Sequence, residues 1–161
     1  MYFTAMGDPK RKAHADIKAF GWHVILIPED DQGPSFAYSI GLQKTFNHPE
    51  ILVSGLDIKL MHQMINGIGD RVKEGNFFLS GKRYQDILSG YDCLFADVEE
   101  KYFKNYFGQA IDFYKGHHFR VLQCLWPDKR GIFPSTPDFP EGLRVKQTLT
   151  IAGSAPASSS N

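Results

Sequence analysis

Two short apolar runs on either side of a polar connection constrain this fold more than any other feature of the sequence. Phe36 to Leu42 (FAYSIGL) and Ile51 to Leu56 (ILVSGL) are too short for ordinary helices, and both read as strands. Gln43, Lys44, Thr45, Phe46, Asn47, His48, Pro49 and Glu50 lie between them. The runs supply scaffold, and the connection supplies groups able to bind a ligand or move a proton.

The flanking segments extend that pattern. Lys12 to Phe20 reads as a short helix stopped by Gly21, and Trp22 to Pro28 (WHVILIP) as a buried strand. Glu29 to Ser35 (EDDQGPS) is dense in turn formers and predicts a hairpin-like return. Leu60, Met61, Met64, Ile65, Ile68 and Val72 recur at helical spacing between an Asp57 N-cap and a Gly75 stop. Gly67 and Gly69 each weaken that helix by about 1 kcal/mol relative to Ala. A packing partner or a close backbone approach must offset them.

Further strands are expected at Asn76 to Ser80 and Tyr91 to Val98, around a loop from Lys82 to Gly90. An aromatic helix is expected over Lys101 to Lys115, a strand over Phe119 to Trp126, and an edge strand within Leu143 to Ile151. Residues 1–11 and 152–161 read as flexible tails around one domain, 12–151. The class is α+β: a mainly antiparallel sheet or a small split-barrel-like β-core with two or three packed helices.

Composition narrows the function classes. Eighteen basic residues balance eighteen acidic ones, which argues against a nucleic-acid binder that tracks phosphates. No apolar run approaches the roughly 20 residues that span a bilayer. The N-terminus lacks the order of a signal peptide. The expectation is a cytoplasmic protein with no membrane or nucleic-acid partner. Cys93 and Cys124 are too few for a disulfide framework and read as small buried hydrophobes. Six histidines occur without HExxH or paired C-x-x-C spacing, so no metal site is expected.

FAYSIGL, HPEILVSGL and VLQCLWPDKRGIFP, in that order, resemble the signature blocks of an uncharacterised bacterial family, domain of unknown function forty-two sixty-two. The resemblance spans about Ala13 to Leu149. Ser39 stands where that family usually has Thr and keeps a hydroxyl; Ser135 stands where an aromatic is common. The family brings no activity with it. Hairpin, polar connection, PEILVSGL and helix are also similar in architecture to flavin-reductase-like split barrels, a fold-level analogy. That analogy implies an FMN phosphate near Ser39, Lys44 and Thr45.

The candidate residues have two readings each. His48 and Glu50 are an acid–base pair, or a turn residue and the start of a strand. Lys44 and Thr45 are phosphate ligands, or ordinary exposed loop residues. Trp126, with Gln123, stacks on and edges a planar ring, or is a core Trp ahead of a Pro-forced turn. Tyr38, Ser39, Lys44, Thr45, His48, Gln123 and Trp126 form the expected site for a small planar or phosphorylated ligand, with FMN first. The rival is a regulatory or toxin-neutralising interaction module without catalysis, and a homodimer is compatible with either.

Overall fold

A computed structural model describes residues 8–147. The tails expected at the extreme ends lie largely outside these residues. Helix α1 (Pro9–Phe20) begins three residues earlier than its periodicity predicts. The Asp8 side chain accepts from the Lys10 and Arg11 N–H groups, and Pro9 occupies the first helical turn. Gly21, at φ 107°, ends the helix.

Strands β1 (His23–Ile27), β2 (Phe36–Ile40) and β3 (Glu50–Ser54) form an antiparallel meander, as the short links imply. After β3 the chain crosses through α3 (Ile58–Lys73), then β4 (Arg83–Leu88) and β5 (Tyr91–Asp97). It returns as β6 (Val121–Leu125), parallel to β3 and antiparallel to β5. The sheet order is β1-β2-β3-β6-β5-β4. The class is α+β, with a mixed, open sheet and not a closed barrel. Every residue of the central strands β3 and β6 is buried, because helices cover both faces.

On one face, Met61, Met64, Ile65, Ile68 and Val72 of α3 pack on Ala37, Ile51, Val53, Leu122 and Cys124. On the other, Tyr38, Ile40, Leu52 and Val121 pack on Phe103, Phe107 and Ala110, with Ile17 of α1. Each fully buried large aliphatic side chain contributes roughly 1.5–3 kcal/mol, so α3 is held by packing despite its glycines. A Cβ on Gly69 would lie 2.5 Å from the Trp22 ring, whereas one on Gly67 would meet nothing within 4 Å.

Five local expectations are corrected. The polar connection contains a short helix, α2 (Leu42–Phe46). Asn76 to Ser80 is not a strand: the Phe78 N–H is taken by His48 Nε2 at 3.0 Å and the Leu79 N–H by the Tyr84 hydroxyl at 2.9 Å. The strand lies instead at β4, where a loop is expected; its pairing shifts register between Tyr84 and Leu88, and Asp86 adopts φ 65°. The aromatic helix is split into a 3-10 turn (Glu100–Tyr102), α4 (Phe103–Tyr106) and α5 (Gly108–Tyr114). The break is at Phe107, whose ψ of 39° is not helical and whose ring is fully buried. The described part of Leu143 to Ile151 holds the end of a helical turn, α6 (Glu141–Arg144), and no strand.

Candidate functional site

Helix α2 is only five residues long, too short to persist without outside support. Its support comes from Glu50. The Glu50 carboxylate accepts from Ser39 Oγ–H (2.7 Å) and from the backbone N–H groups of Gly41 (2.9 Å), Leu42 (3.2 Å) and Gln43 (3.2 Å). The Tyr114 hydroxyl also donates to it and accepts from the Lys44 N–H at 3.2 Å. The donors left open at the start of a helix are thus met by a carboxylate from β3 and a phenol from α5. Burial pushes the Glu50 carboxyl above its ordinary range, while the hydrogen bonds from Tyr114, Ser39, Gln43 and Gly41 pull the other way. Burial likewise raises Tyr114, and the neighbouring Glu50 charge adds to the rise.

Gly41 makes the turn feasible. It sits at φ 116°, and a Cβ there would lie 2.8 Å from the Gly21 carbonyl oxygen and 2.9 Å from Ile17. At the other end Asn47, at φ 56°, donates its N–H to Gln43 O (3.0 Å), and His48 donates its own to Leu42 O (3.3 Å). This paired pattern closes a helix end.

His48 is fully buried. Its Nδ1–H donates to the Pro49 carbonyl at 2.8 Å, and its Nε2 accepts from Phe78. Burial holds its pKa below the ordinary histidine value. The Ser39 hydroxyl accepts from the Ile51 N–H at 2.9 Å where the β2–β3 ladder ends. The Thr45 hydroxyl donates to the Gly21 carbonyl at 2.7 Å, tying α2 to the end of α1. The Tyr38 hydroxyl faces the N–H groups of Gln109 and Ala110 at the start of α5. Its pKa is pushed up to about 12 by burial. Tyr38 also lines a cavity of about 360 Å³ with Phe36, Tyr106 and Gln109.

Gln123 and Trp126 belong to a different network. Trp126 donates from Nε1 to Ser54 O at 2.8 Å. The Gln147 side chain both accepts from Trp126 N–H and donates to Trp126 O, each at 2.8 Å. Gln123 Nε2 donates to Gln147 O at 2.6 Å. The structure therefore joins Ser39, Glu50, Lys44 and Thr45 around α2, and joins Gln123 and Trp126 under the C-terminal turn. The Asp128 side chain accepts from Arg130 N–H (2.8 Å) and Ile132 N–H (3.0 Å), the turn expected after Trp126.

Among the expected residues, Lys44 and Thr45 line an open cleft. It holds about 420 Å³ between α1, α2 and α5, and its other lining residues are His14, Ile17, Lys18 and Phe113. Lys44 Nζ stands 5.6 Å from the centroid of the Phe113 ring, and the His14 ring 5.3 Å from it. Among the described residues, no carboxylate lines this cleft. His14 and Phe113 also line a neighbouring cavity of about 570 Å³, with Ala13, Ile40, Gln109 and Lys115.

Residues 16–140 match the family model described as Domain of unknown function (DUF4262). The chain belongs to this family. The DUF4262 segment starts inside α1 and ends just before α6, so it contains the whole sheet, Lys18, Lys44, Thr45 and Phe113. No curated protein and no solved structure gives a significant match.

His14, Lys18 and Phe113 are absent from the residues expected at the site. The i, i+4 spacing of His14 and Lys18 on α1 is the one sequence signal that places them together. Phe113 joins them only because α5 packs beside α1, where Lys10 pairs with Asp112 at 3.0 Å. No helix of the described residues is long and apolar enough to cross a membrane, and no group of three His, Cys, Asp or Glu among them could hold a metal ion.

Proposed function

We propose that this DUF4262 domain binds a small planar, phosphorylated ligand in the cleft between α1, α2 and α5, with FMN as the first ligand to test. One observation carries the reading: Lys18, Lys44 and His14 line the cleft with a Phe113 ring, and no carboxylate among the described residues lines it. Ammonium groups favour a phosphate dianion, and an aromatic face suits a flat ring. The cavity falls within the range of about 300–1,000 Å³ typical of ligand sites. Thr45 supports the cleft through Gly21 and does not itself need to touch the ligand. Any chemistry would come from the bound cofactor, with the protein orienting it.

The test is a fluorescence titration of FMN against the wild-type chain and Lys44→Glu. Wild type should quench flavin emission saturably, and Lys44→Glu should weaken binding about tenfold or more, the scale of one charge-assisted contact of ~1.5–3 kcal/mol. If neither FMN nor pyridoxal phosphate binds the wild type, the reading fails.

The second reading is an interaction module, and Phe77 and Leu79 favour it: they stand 46% and 44% exposed on one loop. The partner it names first is a second copy of the chain. Sedimentation velocity over a concentration series should then show self-association that Phe77→Ser abolishes; a monomer throughout counts against it.

A further inference from the structure

The sheet has two edges, β1 and β4, and they are built differently. An edge strand offers a row of unpaired N–H and C=O groups, and proteins blunt it with charges, proline, a bulge or a cover. Strand β4 is blunted: it carries Arg83 and Asp86, its register shifts, and Asp86 turns the backbone at φ 65°. Strand β1 (HVILI) has none of these devices. It contains no Asp, Glu, Lys, Arg or Pro, and its five residues pair with β2 in unbroken register.

A cleft of about 650 Å³ lies at that free edge. Alternation sends Trp22, Val24 and Leu26 to the α3 face of the sheet, and His23, Ile25 and Ile27 to the other. The cleft therefore straddles the strand, with Lys12 and Asp16 of α1 on one side and Asn66 and Asp70 of α3 on the other. One extended segment fits between such walls, whereas a second copy would bring its own α1 and α3 against them. The charges of the α1 wall are spent: Lys12 pairs with Asp16 at 3.3 Å, and Asp16 also bonds His23 Nδ1 at 2.6 Å. Those of the α3 wall are not. Asp70 and Lys73, three residues apart on the helix, form no ion pair among the described residues.

Helix α3 runs antiparallel to β1. It begins just beyond Ser54, which is in register through Phe36 with Ile27, and it meets Trp22 at Asn66, whose Oδ1 accepts from Trp22 Nε1–H at 2.9 Å. A strand added antiparallel to β1 therefore runs in the direction of α3 and passes Asp70 before Lys73. Its residues i and i+2 share one face about 6.6 Å apart, close to the ~5–6 Å between side chains three apart on a helix. We propose that the free edge of β1 captures an extended peptide as a seventh strand of the sheet. Its apolar β-branched residues lie beside Val24 and Leu26, followed by a basic and an acidic residue, two apart, opposite Asp70 and Lys73. Main-chain hydrogen bonds to β1 supply affinity, and the alternate side chains supply the choice of partner. The occupant is neutral overall, as the cleft is: Lys12 and Lys73 balance Asp16 and Asp70.

The probe is the peptide acetyl-TVTVTKTE-amide, added to the ¹⁵N-labelled full chain. The amides of His23 to Ile27 should shift saturably, and those among them not bonded to β2 should gain protection from hydrogen exchange. N-methylation separates strand addition from mere apolar adhesion, because successive N–H groups of a strand point to opposite edges. Methyl groups on both Val nitrogens, or instead on those of the second and third Thr, should abolish binding in one peptide and spare it in the other. The charge pair is tested by exchange. The wild type should favour this peptide over acetyl-TVTVTETK-amide roughly threefold or more, and the double variant Asp70→Lys, Lys73→Asp should reverse that preference. Both residues are exposed, so the variant keeps the core intact. Three results would overturn the proposal: no shift in β1 with peptide in excess, equal effects of the two methylation patterns, or a preference that the variant leaves unchanged. Edge amides of β1 already protected in the free chain, as a monomer or a dimer, would show the edge occupied by the chain itself and overturn it equally.

Discussion

Replacing Glu50 by Gln keeps the size of the side chain but exchanges one acceptor oxygen for an amide NH₂. Oε1 accepts from Ser39 and Leu42, and Oε2 from Gly41, Gln43 and Tyr114. Ser39 and Tyr114 can rotate their hydroxyl hydrogens away, but backbone N–H groups cannot turn. If the NH₂ takes the Oε2 position, it faces the Gly41 and Gln43 N–H groups; at Oε1 it faces that of Leu42. One or two buried donors are therefore orphaned, at about 1–3 kcal/mol each, and two donors are pushed together. The expected loss is about 3–5 kcal/mol, comparable to breaking a buried charge pair. That is a large part of the roughly 5–15 kcal/mol a domain of this kind has in total. Urea unfolding followed by tryptophan fluorescence measures it directly, because Trp22 and Trp126 are both buried. A loss below about 1 kcal/mol would refute the capping argument. It would also revive the acid–base reading of Glu50, which predicts a stable but inactive variant.

The two glycines of α3 should respond in opposite directions. Gly67→Ala should stabilise the domain by up to about 1 kcal/mol, through helix propensity alone. Gly69→Ala should destabilise it by about 1–3 kcal/mol, since its Cβ would strike the Trp22 ring; equal effects in thermal melts would contradict the packing described. His48 predicts a pH dependence. Its folded pKa lies below the unfolded one, so the unfolded chain binds more protons in acid. Its contribution is full above the ordinary value of about 6.5 and is lost as pH falls below it, with a slope of at most ~1.4 kcal/mol per pH unit. NMR should show the His48 ring still neutral at a pH where an ordinary histidine is half protonated; half protonation at or above that value would contradict the buried, neutral assignment.

Strong periodicity made much of this fold readable. The α3 stripe, its Asp57 cap and the hairpin that precedes it stand where pattern and turn chemistry put them, and Gly69 has the close approach that its cost demanded. Segments set by tertiary partners were not readable. Helix α2 needs a carboxylate from β3 and a phenol from α5, groups that its own five residues do not reveal. The Gly41 and Asn47 that bracket it were the available signal. Strand β4, on the sheet's other edge, has no buried residue, and its exposed Arg83, Gln85 and Asp86 do not alternate regularly with Tyr84, Ile87 and Leu88, so it lacks the pattern that marks a half-buried strand. Asn76 to Ser80 has the composition of a strand, yet side chains of His48 and Tyr84 take its N–H groups. In the cleft between α1, α2 and α5, Lys44 and Thr45 were visible on their connection, but His14, Lys18 and Phe113 arrive from α1 and α5 by packing alone.

The central claim is that the cleft between α1, α2 and α5 holds a planar phosphorylated ligand, and ¹⁵N–¹H NMR mapping with FMN tests it most directly. The amides of His14, Lys18, Lys44 and Phe113 should shift together and saturably, while those of β4 and the Trp126 turn stay fixed. Shifts confined to other surfaces, or none at all with ligand in excess, would contradict it.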